Sequence, residues 1–346
     1  MTLRDAFLRQ ATVCPQLGSP FMGQLCGLLA DMLDSPGPVF ERMRAWPGDV
    51  SAAGHSVPLR LCGALHGLVI DGTAPELAAV YPPNQTDDDA LRRAVLAAIS
   101  THETRIQAWL DNAPQTNEVR RSTGIIAVGQ WLSNRCGLPF NLLELGASAG
   151  LNLQWDRMAL DLPDVRFGPD DATLRLSPDW TGPLPPQAPV HVTRRRGVDL
   201  SPLSIADEGD VLRLRAYLWP DQPDRRARTD AAIKLAHKHK PEVAAGDAAP
   251  WLERVLQDLP EGEITFIYHT IAWQYFPQET KERCAAAIVA AGARATENAP
   301  LAWLGIEADD QKPGAGMCLR LWPDDVTLNI GRMDFHGRWL IWTPPS

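Results

Sequence analysis

The residues best placed to do chemistry stand together in Glu144-Leu-Gly-Ala-Ser-Ala-Gly150. Glycines at 146 and 150 let a chain leave a strand through a sharp turn and carry its backbone close to a ligand that a Cβ would hold off. Gly146 would make the turn, and Gly150 would sit where free amides face the ligand. Ser148, between them, offers a hydroxyl but narrows the room a glycine would leave. Glu144 sets the sign of the ligand. A carboxylate just below the turn repels a triphosphate, and the lysine of a Gly-x-x-x-x-Gly-Lys loop is missing. It would attract a cationic α-amino group, so the turn, with Asn152 just beyond it, is expected to hold the methionine end of S-adenosylmethionine. The plain alternative is a strand-turn-helix whose glycines only permit tight packing.

Two more carboxylates follow expected strands. A carboxylate at Asp199 can accept from both ribose hydroxyls. It lies about 50 positions past the glycines where about 20 is usual, which requires an insertion; an Asx turn before Pro202 or a substrate contact are the other readings. Asp247 follows an expected strand and, read from the residues alone, caps the helix that begins near Pro250. Tyr268 and His269 end an apolar run and lead to Tyr275. His269 is a candidate general base, with Tyr268 or Tyr275 orienting substrate, unless a backbone carbonyl satisfies the ring. Before the turn, Gln115, Thr116, Asn117, Glu118 and Arg120 form a dense polar run expected to help line a substrate pocket, and Arg120 or Arg121 could pair with a carboxylate. Charge pairing around a turn is the ordinary reading of Asp221, Asp224, Arg225 and Arg226, with a substrate anion site at one arginine as the alternative, and His102 falls on an apolar stripe as a core or interhelical histidine.

These residues need elements to hold them. Residues 1–135 are expected to be helical: Ser19-Pro20 is a helix start, and after Asp87-Asp-Asp89 the stripe Leu91, Val95, Ile99, Ile106, Leu110 reads as one long helix. A further helix is expected from Val119 to Asn134. Residues 136–346 alternate strands and helices: Asn141–Leu145, a helix Leu151–Leu160, loops with room for one hairpin over 161–188, then strands at Val190–Val198, Pro241–Ala245, Glu263–Tyr268 and Leu301–Ile306 with helices between the later ones. Met317–Trp322, Val326–Ile330 and Arg338–Trp342 follow without room for helices and predict antiparallel strands. The fold expected is α/β, with a Rossmann-like core behind an N-terminal helical region.

With 346 residues, 45% hydrophobic, the chain can bury a sizeable core, and a formal charge of -9 disfavours nucleic acid or an anionic membrane as partner. Six cysteines without a Cys-x-x-Cys pair, and histidines without ligand spacing, predict neither disulfides nor a metal site. No long apolar run or secretory signal is readable, so a cytoplasmic location is the default expectation.

The string Leu143–Leu153, with Gln115–Ser122, Gly197–Leu203 and Trp219–Arg225, resembles a bacterial family of uncharacterised proteins, DUF2332. The motif around Glu144 also resembles, more broadly, the first motif of class I S-adenosylmethionine-dependent methyltransferases. That second resemblance implies a methyltransferase-type core, with Glu144, Gly146, Ser148, Gly150 and Asn152 at the methionine end, Asp199 and Asp247 further along the cofactor, and an unidentified small molecule as acceptor. A non-catalytic S-adenosylmethionine-binding or regulatory protein is the competing reading. A serine hydrolase using Ser148 in Gly-x-Ser-x-Gly is a weaker one, and a dehydrogenase weaker still because Gly-x-Gly-x-x-Gly is not met.

Overall fold

A computed structural model describes residues 1–344. They form two compact units, one of Met1–Thr116 with Ala206–Ala227 and one of Asn117–Ile205 with the described residues from Arg228 onward.

The first unit is helical: α1 (Leu3–Gln16), α2 (Pro20–Asp31), α3 (Pro38–Arg44), α4 (Val57–Ile70), α5 (Pro75–Ala78), α6 (Asp88–Thr101) and α7 (Glu103–Leu110). Starts follow capping chemistry. Ser19 Oγ accepts from the Met22 amide ahead of Pro20, and Asp87 accepts from Ala90. The expected single helix through Leu110 breaks at His102, which ends α6 and begins α7 with a non-helical φ of -111°. Leu91, Val95, Ile99, Ile106 and Leu110 nevertheless enter one apolar core with α2 and α4.

In the second unit α8 (Ser122–Cys136) precedes β1 (Phe140–Leu145). The helix expected over Leu151–Leu160 does not form; a 3-10 segment Asn152–Arg157 runs straight into β2 (Ala159–Leu162). Strand pairing overrides local propensity there. With β3 (Val165–Phe167) and β4 (Arg175–Leu176), β2 builds a small sheet, locked where Asp161 accepts from Arg166 at 2.7 Å and Arg175 at 2.8 Å. β5 (Asp179–Thr181) follows, then β6 (Val192–Asp199).

α9 (Glu208–Ala216) belongs to the first unit, where His66 of α4 faces the Ala216 carbonyl at 3.1 Å and the Tyr217 ring lies against Gly63. α10 (Pro223–His239) leads back to β7 (Glu242–Ala245), α11 (Ala248–Val255), β8 (Ile264–Thr270), α12 (Gln278–Gly292), β9 (Leu301–Glu307), β10 (Ala315–Trp322), β11 (Val326–Met333) and β12 (Trp339–Trp342).

The main sheet is mixed, in the order β5-β12-β11-β10-β9-β8-β1-β6-β7. β7, β6, β1, β8 and β9 run parallel, and β9 through β12 pair antiparallel, as the tail without helices predicts. One face of β1 and β8, with Leu143, Leu145 and Ile267, shares a core with Ala249 and Leu252 of α11 and Cys284 and Ile288 of α12. The other carries Phe140 and Phe266 against Trp155, with α8 laid over it: Gly129 meets the Trp155 ring and Gly124 meets Ile306 and Met317. Burying such side chains is worth about 1.5–3 kcal/mol each, far more than the propensity differences that decide an isolated helix. Hence the boundary lies at Thr116/Asn117 and not near 135: α8 looks like the helices before it, but its apolar face serves the sheet.

Candidate functional site

The glycine-rich turn leaves the carboxyl end of β1 through positive φ at Gly146 (69°), Ser148 (52°) and Gly150 (68°). It lies down on the end of β6. The amides of Gly146 and Ala147 donate to the Val198 carbonyl at 2.9 and 3.1 Å, and the Ser148 amide donates to Asp199 Oδ2 at 2.8 Å. Gly197 permits this approach, since a Cβ there would stand 2.6 Å from Ala147 Cβ. Asp199 Oδ1 accepts from the Ser201 amide at 2.9 Å, so the Asx turn and the contact with the glycine turn coexist in one carboxylate. The small sheet and β5 account for the long spacing between Gly150 and Asp199. From the other side Ala272 covers Gly146, its Cβ 2.5 Å from where a Cβ on Gly146 would be, and Pro241 and Val243 crowd Gly150.

Glu144 sits in register between Gly197 of β6 and Tyr268 of β8 and is 2% exposed. Its Oε2 is buried without a hydrogen-bond partner among the described residues. Burial and then Asp199 push its pKa well above the usual carboxylate range, against the pull of Arg121. Burial likewise raises the Tyr268 phenol, which Glu144 raises further, and this hydroxyl donates to the Asn152 carbonyl at 3.3 Å.

The polar run before α8 closes the same corner. Asn117, at φ 34°, accepts from the Leu151 amide at 3.0 Å through Oδ1. Asn152 receives Ser122 Oγ at 2.7 Å and donates to the Glu118 carbonyl at 3.4 Å, while Glu118 Oε1 accepts from the Arg120 amide at 3.2 Å. Arg121 donates to the Thr270 carbonyl at 3.0 Å and the Phe335 carbonyl at 2.9 Å. Glu144, Gly146, Ser148, Gly150, Asn152, Asp199, Asn117, Glu118 and Tyr268 therefore gather around one turn.

Other candidates fall elsewhere. Tyr268 and His269 are consecutive in a strand and point to opposite faces, so they do not work on one substrate atom. The Trp303 indole can only donate, at 3.1 Å, so His269 Nε2 accepts and Nδ1–H donates to Glu307 Oε1 at 2.7 Å. A neutral ring held this way has its accepting nitrogen occupied. Burial works to raise the Glu307 carboxyl, but bonds from His269 and the amides of Ala272 and Trp273 outweigh it and hold the pKa below the usual value. Asp247 caps α11 through Ala249 at 2.8 Å and accepts from Thr280 Oγ1 at 2.9 Å. Tyr275 is 56% exposed, and Gln115 belongs to the first unit. Glu307 was missed by sequence reasoning, although an acid directly after Leu301–Ile306 repeats the way Glu144 lies near the end of its own strand.

Among the described residues, no group of three or more His, Cys, Asp or Glu is placed to hold a metal, and no helix is long and apolar enough to cross a membrane. The sequence matches a family described as an uncharacterized protein conserved in bacteria, over residues 4–342. The chain belongs to the DUF2332 family. No curated protein and no solved structure matches it. The DUF2332 match spans both units, so α1–α7 are part of what defines the family and not an appendage to the sheet.

Proposed function

We propose that this DUF2332 protein is an S-adenosylmethionine-dependent methyltransferase with a Rossmann-like core, acting on a small molecule. The observation that carries the reading is the strand order β7-β6-β1-β8-β9, which reverses direction of travel at β1 and puts the glycine turn at the carboxyl end of that strand, with Asp199 ending its neighbour. Ligands of open α/β sheets bind at such a switch point. The fit to the cofactor rests on Glu144: a buried carboxyl with one unpartnered oxygen suits a cationic amino group. Glu144, Gly146, Ser148, Gly150 and Asn152 would hold the methionine end, and Asp199 would face the ribose. When bound, the cofactor supplies a methyl group already activated by its sulfonium, so the protein's task is chiefly alignment. Tyr268 and Asn152 fix the floor of the turn, and Asn117 and Glu118 close it from the side. His269, with its acceptor nitrogen given to Trp303, is assigned to holding the β8–β9 end in place and not to removing a proton.

The same occupied histidine favours one second reading, a protein that binds S-adenosylmethionine without turnover. Ser148 has the positive φ that a nucleophile elbow requires, but His269 is engaged with Glu307 and Trp303 on the opposite face from Glu144 and Tyr268, so the hydrolase reading lacks its base. Calorimetric titration with S-adenosylmethionine, with NAD as comparison, tests the cofactor. Saturable binding that Glu144→Gln and Gly146→Ala weaken supports the assignment, and an acceptor screen then separates enzyme from binding protein. A folded protein that binds NAD, or neither ligand, sinks it.

A further inference from the structure

The first unit contains a cavity of about 380 Å³ where the ends of α3, α4 and α7 meet, lined by Arg42, Trp46, His55, Arg60, Leu110 and Asp111. Its two arginines are in different electrostatic situations. Arg42 is ion-paired with Asp111 and donates to the Gln107 carbonyl at 2.6 Å. Arg60 is only 8% exposed, and its bonds go to two neutral acceptors, the His55 carbonyl at 2.7 Å and the Leu110 carbonyl at 2.8 Å. These use Nε and Nη1 and leave Nη2 without a hydrogen-bond partner among the described residues. The acid on the cavity wall, Asp111, is committed to Arg42.

Trp46 completes the cavity. The guanidinium carbons of Arg42 and Arg60 lie 5.4 and 5.3 Å from its ring centroid. The ring attracts cations but carries no charge, so the face does not neutralise Arg60. Trp46 Nε1 donates to His55 Nδ1 at 2.8 Å, which leaves the histidine proton on Nε2 as a further donor. Asp111 favours the Arg60 charge but is itself paired with Arg42, so an anion in the cavity facing Nη2 would add to the compensation for desolvating the guanidinium. The volume lies near the small end of the range of about 300–1,000 Å³ for ligand cavities, more than a bare inorganic anion fills. We propose that this cavity binds a small organic carboxylate, its charge at Arg60 and its apolar body against Trp46. The site lies wholly in the first unit and does not depend on the reading of the glycine turn.

The full-length protein is titrated with benzoate, followed by calorimetry and tryptophan fluorescence, with benzamide as the uncharged isostere and inorganic phosphate as the compact anion. Saturable benzoate binding is expected, with benzamide and phosphate each weaker by about tenfold or more, as loss of a charge-assisted bond or of the apolar contact requires. Arg60→Gln and Trp46→Leu are each expected to weaken benzoate, while Asp111→Asn, which removes a like charge from the wall, tightens it. Trp46 is half-buried, so its variant decides the matter if Arg60→Gln does not fold. Equal binding of benzamide, preference for phosphate, or benzoate affinity indifferent to Trp46→Leu would overturn the proposal.

Discussion

At the scale of single residues, Glu144 is the group whose protonation state carries most consequence. Its pKa is raised in the fold, so its contribution to stability is complete below the ordinary carboxylate range and is lost as pH rises through the folded value. Thermal melts of the native protein should therefore decline on the alkaline side of that range, and Glu144→Gln should flatten the decline while weakening S-adenosylmethionine. An unchanged pH profile in the variant would mean the carboxyl is not the titrating group. The carboxylate and glycines of the turn were legible because their chemistry is local: Glu144 precedes the bend, and the positive φ values fall on Gly146 and Gly150 as a turn demands. The occupation of His269 was not legible, because its partners Trp303 and Glu307 come from β9, and sequence distance hides a bond that only strand register creates.

Among elements, the contact between the glycine turn and β6 depends on a missing side chain. Gly197→Ala places a methyl 2.6 Å from Ala147 Cβ, and overpacking of this kind typically destabilises by about 1–3 kcal/mol. The expected outcome is a lower melting temperature together with weaker S-adenosylmethionine binding, since the turn must lift away from Val198 and Asp199; a drop in stability with binding intact would disconnect the turn from the ligand. A second element-level prediction concerns α4 and α9. Burial lowers the His66 pKa to about 4, although the Ala216 carbonyl bond works against that shift. A depressed histidine stabilises the fold above its unfolded pKa and loses that contribution as pH falls toward the folded value. The difference corresponds to about 3 kcal/mol, lost between roughly pH 6.5 and 4. Urea titrations across that interval check it, and His66→Leu should remove the acid limb at the expense of the Ala216 bond. The alternation of strands and helices after residue 240 was readable from periodicity, whereas of the short strands β2 to β5 only room for one hairpin was: two- to four-residue strands leave no pattern, and pairing alone defines them.

For the molecule as a whole, the units are not two consecutive stretches of chain. Ala206–Ala227 leaves the second half of the sequence to complete the first unit, where Tyr217 and Leu218 are buried. A fragment of residues 136–346 is expected to be insoluble or unfolded, because it lacks α8 over the sheet and strands the apolar side chains of α9; circular dichroism and a cooperative melt of that fragment decide the point. Composition cannot reveal such a return, since α9 reads like any amphipathic helix until its partners are known. Compactness was foreseeable from 45% hydrophobic residues, but which helix serves which core was not.

The outermost strand has a consequence in time. Asp179, Trp180 and Thr181 of β5 find their partners far along the sequence, in Trp339, Leu340 and Ile341 of β12. On a ribosome β5 is made well before β12, and that edge of the sheet can zip shut only after β12 has emerged. Long-range pairings of this kind slow folding and leave strand edges exposed meanwhile. A nascent chain stalled before β12 would carry that raw edge, available to other proteins.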